Sequence, residues 1–274
     1  MGEFITETWL REAFSLGFGT EVHLPVGSRL TPAARGLLDE RHITVRFVDG
    51  QGRVFLKEAL EQDAPDARKR VNPLTGSSER HEACCQVCRQ PIGKKPDTMT
   101  HLNRDTLVAK NDLRLKLRGK LDSTIAQAVL VQTVFEPEGR FAAFARWLAD
   151  VRSALGNVLK AEVTGDILAD VAMGDMDATV IHAVSHNPLK YLGHDHMVPE
   201  VGYGVRVAQL NVLRAQIREA ELYAADIYIA PDFTVTRPDI MEGLNRLSSA
   251  VYVLMLLTYL VEQGKAVPTE GINV

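Results

Sequence analysis

The sequence predicts a mainly α protein: an up-and-down bundle of four to five helices, preceded by a small N-terminal α/β unit and an irregular cysteine-containing segment. Three observations predict it. Long stretches beyond residue 105 carry apolar residues at helical spacing. Near the N-terminus, two alternating runs bracket a helix with a strong start signal. Between these regions, residues 56–100 are polar, proline-marked and without a periodic apolar face. The expected divisions are 1–55 for the α/β unit, 56–104 for the irregular segment and 105–274 for the bundle.

In the first unit, "EVHLPV" and "HITVRFVD" alternate like half-buried strands. Between them, "LTPAARGLLDE" offers Thr31 as N-cap and Pro32 at the first helical position. No catalytic constellation stands out there, and the unit reads as a docking or scaffold element. In the bundle, Leu113, Leu117, Leu121, Ile125, Ala128 and Val129 form one stripe. Phe141, Phe144, Leu148, Val151, Leu155 and Val158 form a second, after Pro137. A third helix is expected from about Pro199 to Ile229. A fourth follows Pro238 and carries "IMEGLNRLSSAVYVLMLLTYLVEQ". Its apolar run at 250–261 is too short to span a bilayer and reads as a buried core helix.

The totals exclude several classes. With 274 residues, a net charge of −4 and a pI near 6.1, the chain has no basic field for nucleic acid. Its opening, "MGEFITETWLRE", is charged and lacks the apolar core of a secretory signal; the cytoplasm is the compartment expected from the clustered thiols. All three cysteines fall at 84, 85 and 88. An odd, clustered set argues against a disulfide framework, and adjacent Cys84 and Cys85 would make a strained pair. A metal or redox role competes with idle surface thiols, and a metal would supply order that packing does not. No Walker-type loop, dinucleotide fingerprint, Gly-x-Ser-x-Gly elbow or His-Glu-x-x-His helix occurs.

Arg214, Arg218 and Glu221 lie at i, i+4 and i+7, and so share a helix face. On the fourth helix, Asn245, Arg246 and Ser248 interrupt an apolar run. Buried Asn and Arg are costly unless paired or ligand-bound, and guanidinium forks match phosphate oxygens. A polyanion site is one reading; a solvated, salt-bridged face is the other. Arg114, Arg118 and Asp122 make a further polar stripe, for which an intrahelical ion pair is the plainer reading. Gly119 sits mid-helix at a cost of about 1 kcal/mol against Ala, which suggests close approach by a backbone or a large ligand. Lys110, at the start of that helix, could reach phosphates.

These residues carry a resemblance. In "FITETWLR", "RLTP", "CCQVCRQP", "KKPDTMTHL", "HDHMVPE" and "RPDIMEGLNRLSSAVYV", the chain resembles the ethanolamine-utilization type of ATP:cob(I)alamin adenosyltransferase over nearly its whole length. The helical part is also similar to the propanediol-utilization adenosyltransferases. Arg214, Arg218 and Glu221 match their R-x-x-x-R-x-x-E helix, and Asn245 to Ser248 match their N-R-L-S. Gly119 and Asp122 resemble their G-x-x-D.

The resemblance implies a reaction: the adenosyl group of ATP, taken with Mg2+, passes to the cobalt of cob(I)alamin. The product would serve an ethanolamine ammonia-lyase, near or inside a bacterial microcompartment. It implies that Arg214 and Arg218, with Lys110, hold phosphates, and that Glu221 orients an arginine or magnesium. Asn245 would hydrogen-bond the nucleoside, and Arg246 would also bind ATP. Asp122 would make a salt bridge near the corrinoid across a subunit boundary, with Arg214 as partner. His196 takes the place of a phenylalanine that keeps the lower cobalt ligand away; metal binding or capping by His194 and His196 is the alternative. The ethanolamine type also carries His-x11-Cys-Cys-x2-Cys, which binds iron(II) or zinc. Cys84, Cys85 and Cys88 match it, but Asn72 stands where the histidine would be, leaving His81 or His101 as fourth ligand. A homo-oligomer, dimer or trimer, is expected, with neither nucleic acid nor membrane as partner. Two other classes stay open. A metal-responsive helical regulator need not bind magnesium-ATP, and a non-catalytic corrinoid carrier would leave ATP untouched.

Overall fold

The computed structural model describes residues 4–56, 70–71, 83–135 and 139–267. The chain divides into two compact units, one of residues 1–84 with 91–93, the other of 85–90 with 94–274.

The first unit opens with β1 (Phe4–Ile5) and α1 (Glu7–Ala13), followed by β2 (Glu21–Pro25), β3 (Arg29–Leu30), α2 (Pro32–Glu40) and β4 (Thr44–Val48). β2 and β4 pair in parallel, which requires the crossover that α2 supplies. The start signal works as expected: Thr31 Oγ1 accepts the Ala34 N–H at 3.3 Å, and Pro32 opens the helix. β5 (Val54–Leu56) adds antiparallel to β4, and β6 (Arg70–Val71) to β5. Alternation sends Val22, Leu24, Val45 and Phe47 into a core shared with Leu10, Phe14, Leu37 and Leu38. β7 (Ala83–Cys85) pairs with β8 (Pro91–Ile92), setting Cys84 opposite Pro91.

In the second unit, β9 (Met99–Asn103) and β10 (Thr106–Ala109) form an antiparallel hairpin. Residues 83–109 therefore hold strand pairs where an irregular segment was expected. Strands of two to five residues are too short to leave a readable period. Residues 57–69 and 72–82 lie outside the described residues.

The bundle begins at residue 113 and not at 105. Its elements are α3 (Leu113–Gln132), α4 (Ala142–Thr164), α5 (Ala178–His186), α6 (Pro188–Leu192), α7 (Gly204–Tyr228) and α8 (Pro238–Glu262). α3 packs on α4 and α7, and α8 packs on the same two, so four long helices close a ring; α5 lies against α8. The stripe on α4 is buried throughout. That on α3 is corrected: Leu117, Leu121, Thr124, Ala128 and Val131 are buried, while Leu113 and Val129 are 43% and 44% exposed. Repeated steps of four drift about 40° each around a 3.6-residue helix, whereas alternating steps of four and three stay on the seam. α7 starts later than expected, after a 3-10 turn at Val201–Tyr203. α8 is, among the described residues, the one helix long and apolar enough to cross a membrane, and 72% of its apolar window is buried inside the protein.

No backbone of the same chain approaches Gly119: among the described residues nothing lies within 4 Å of where its Cβ would be. Close approaches occur instead at Gly174, at φ 57°, where a Cβ would run into the Trp147 ring, and at Gly243 of α8, where it would run into the Leu168 side chain.

Candidate active site

α7 turns Arg214, Arg218 and Glu221 toward one cleft of about 450 Å³, to which α8 contributes Met241. Asn245 joins from α8: its Nδ2 donates to Glu221 Oε1 at 3.2 Å. The Arg214 fork is oriented by a residue one turn earlier, Asn211, whose Oδ1 accepts from Nε at 3.1 Å and Nη2 at 3.0 Å. Burial, and then the charge of Arg218, pull the Arg214 pKa below its ordinary value, while the Tyr252 phenol acts the other way. Among the described residues neither Arg214 nor Arg218 has a carboxylate in an ion pair. Two neighbouring guanidiniums that face one cleft and form no ion pair among the described residues are suited to an incoming polyanion. Glu219, which also lines the cleft, is held by Lys120 of α3 at 2.6 Å.

Other expected members are not brought together. Arg246 faces away from Asn245, into a separate cavity of about 280 Å³ with Leu168, Asp170, Asp239 and Glu242. Its Nη2 stands 3.9 Å from Glu242 Oε1. Consecutive helical residues point about 100° apart, so Arg246 stands apart from Asn245 within one chain, and its buried Nε and Nη1 have no hydrogen-bond partner among the described residues. Asn245 is exposed and not buried, and Ser248 is satisfied locally by donating to the Asn245 carbonyl at 2.8 Å. Lys110 is exposed and is not part of the cleft lining. Asp122 is exposed on α3 and does not pair with Arg214 of its own chain.

Arg114 and Arg118 do not form an intrahelical pair. Both reach across to Glu162 of α4, which is completely buried: Arg114 Nε meets Oε1 at 2.5 Å, and Arg118 Nε meets Oε2. Arg118 Nη1 also donates to the Leu102 carbonyl of β9 at 2.7 Å. Sequence reasoning missed Glu162, although a signal existed: it continues the apolar stripe of Leu155 and Val158 by one further step of four.

His196 is exposed in the segment after α6. Tyr252 of α8 accepts the Met197 N–H through Oη at 2.8 Å, and the same oxygen lies 3.3 Å from His196 Nδ1. The His194 ring packs against the edge of Tyr259, centroids 5.3 Å apart.

At the thiols, Cys84 is partly buried in β7 and Cys88 is exposed. A tight turn follows Cys85: Arg89 N–H donates to the Cys85 carbonyl, and Gln86 N–H to Leu107 of β10, both at 2.9 Å. The Cys85 pKa is lowered, first by the Cys88 backbone N–H, then by that of Val87 and by the Cys88 thiol. A turn that favours thiolate suits a soft divalent ion. Among the described residues, however, no three His, Cys, Asp or Glu side chains gather into a metal-holding group. His81 and Asn72 lie outside the described residues, and His101 is exposed on β9. The residues present thus fit a metal in part: the Cys85–Cys88 turn is suitable, and a full ligand set is not assembled among the described side chains.

Residues 4–70 match the sequence model of the corrinoid adenosyltransferase EutT N-terminal domain, and residues 92–258 match that of cobalamin adenosyltransferase. The chain is 49% identical to the corrinoid adenosyltransferase EutT of Escherichia coli K12 over 94% of its own length and 93% of the relative's. Identity to the Salmonella typhimurium protein of the same description is 47% over the same shares. A solved variant of a PduO-type ATP:corrinoid adenosyltransferase from Lactobacillus reuteri, complexed with cobalamin and ATP, aligns at TM-score 0.49 and 15% identity, covering 61% of this chain and 91% of that one. With close to half of all positions shared along nearly the full length, and both family regions matched in chain order, the chain belongs to the EutT corrinoid adenosyltransferase family.

Proposed function

We propose that this chain transfers the 5′-deoxyadenosyl group of ATP to the cobalt of a reduced corrinoid, cob(I)alamin, making adenosylcobalamin for an ethanolamine ammonia-lyase. The Co(I) electron pair attacks C5′, the Co–C bond forms, and the C5′–O bond breaks with its electrons leaving on the polyphosphate. One observation carries this reading: Arg214 and Arg218 face one cleft and, among the described residues, form no ion pair with a carboxylate. Charge grows on the leaving oxygen in the transition state, and fixed guanidiniums stabilise it there more than in the ground state. Cobalt(I) is itself a strong nucleophile, so the chain supplies position and not a general base. Asn245 donates to Glu221, which leaves its carbonyl oxygen to accept from the nucleoside. Magnesium arrives with ATP, and Glu219 and Glu221 are the carboxylates at the cleft.

Three finer elements belong to the same proposal. His196 lies beside the corrinoid. Asp122 and Arg214, neither of which forms an ion pair among the described residues, pair between protomers of a dimer or trimer. Cys85 and Cys88, with Cys84, hold zinc or iron(II), the remaining ligand coming from His81 or His101. The protein works in the cytoplasm, in or near a microcompartment.

The test is direct. Purified protein, magnesium-ATP and chemically reduced cobalamin are expected to give adenosylcobalamin by absorbance, and no product rejects the reading. Metal analysis of the purified chain and of Cys85→Ser/Cys88→Ser tests the thiol site: about one ion per chain is expected, lost in the double variant.

A further inference from the structure

The segment at 193–200 forms neither helix nor strand, and within it Met197 alone is buried. One α8 side chain bonds it to the bundle. Tyr252 Oη accepts the Met197 N–H at 2.8 Å and lies 3.3 Å from His196 Nδ1, with the two rings inclined by only 20°. Asp195 Oδ1 accepts the His196 backbone N–H at 2.6 Å and fixes the residue from the other side. A phenol has one proton to give. Its oxygen has two lone pairs: one takes the Met197 N–H, and Nδ1 meets Oη either by accepting the phenol proton or by donating to the second lone pair. Nδ1 can accept that proton only when the imidazole proton sits on Nε2.

We propose that Tyr252 is a positioning residue that locks His196 in the Nε2–H tautomer, so that the imidazole faces the corrinoid as a hydrogen-bond donor and not as a cobalt ligand. This rests on the reading above that places His196 beside the corrinoid. A neutral imidazole ligates metal through a ring lone pair. With Nδ1 engaged by Tyr252 and Nε2 protonated, His196 has no lone pair to offer, and the cobalt face stays open. His194 shows the opposite arrangement: its Nδ1 meets the Asp195 carbonyl at 2.6 Å, and since a carbonyl only accepts, the proton sits on Nδ1. Two histidines two residues apart therefore differ in tautomer, and one serves as internal control for the other.

The experiment uses the full chain, 15N-labelled, at about pH 8, above the ordinary imidazole pKa of about 6.5. Long-range proton–nitrogen correlation is expected to show His196 as Nε2–H and His194 as Nδ1–H. Tyr252→Phe, which keeps the ring and loses the hydroxyl, should mix the His196 tautomers and leave His194 unchanged. In a second arm, cob(II)inamide, a corrinoid without its own nucleotide base, is bound to wild type and to Tyr252→Phe. Electron paramagnetic resonance should gain nitrogen splitting in the variant, and the splitting should vanish in Tyr252→Phe/His196→Ala. Adenosylation should fall about tenfold, as for loss of an outer-shell partner, with the KM for ATP unchanged. An Nδ1–H His196 in wild type, unaltered tautomers in Tyr252→Phe, or identical resonance spectra would each overturn the proposal. Failure of wild type to bind any corrinoid would overturn the functional reading instead, and the tautomer measurement would still decide the role of Tyr252.

Discussion

At Arg214, burial and the adjacent Arg218 charge both weaken the guanidinium's hold on its proton, and Asn211 offers only a neutral oxygen in return. Such a residue is held ready for an anion at some cost to the free protein. Arg214→Met or Arg218→Met should therefore lower kcat/KM by about 10²–10³, the scale for losing a transition-state charge donor. Stability should be little changed. Arg246 makes the contrast. It faces another cavity, so Arg246→Met should leave the KM for ATP within about twofold and lower Tm by a few degrees. Steady-state kinetics with thermal melts separate the two cases.

At the scale of elements, α3 and α4 are joined by a buried carboxylate shared between two guanidiniums. Glu162→Gln leaves Arg114 and Arg118 without compensation, and about 3 kcal/mol of stability should be lost. Calorimetry would read this as a Tm lower by roughly 6–12 °C. At the start of α8, the Arg237 fork clasps Asp239 at 2.9 and 2.7 Å, and the Leu168 N–H adds to it. The Arg237 hydrogen bonds, against the opposing effect of burial, hold the Asp239 pKa well below the carboxylate range. A depressed folded-state pKa gives stability that is complete above the unfolded value of about 3.9 and is lost as pH falls toward the folded value. Asp239→Asn should thus be less stable than wild type at pH 7, and urea titrations should find the gap smaller by about pH 3.

For the whole molecule, Asp122 and Arg214 remain apart within one chain, so their proposed pairing needs a second copy. Sedimentation should give a mass above the 30.3 kDa chain. Asp122→Ala should reduce adenosylation about tenfold or more, as for loss of a positioning charge, while moving Tm by no more than a few degrees. A monomer with full activity would reject the pairing.

The sequence by itself determined α2, the existence of the four long helices and the arginine face, because these depend on residues close along the chain. Thr31 and Pro32 start α2, the α4 stripe is apolar at every step, and Arg214, Arg218 and Glu221 share a face by spacing alone. Only the tertiary structure decided which polar groups meet. It set Asn245 against Glu221 and sent Arg246 elsewhere, it gave Arg114 and Arg118 a common partner far along the chain, and it brought Tyr252 to His196. The reason is physical: periodicity fixes the face on which a side chain stands, but the packing of helix against helix fixes what that face touches.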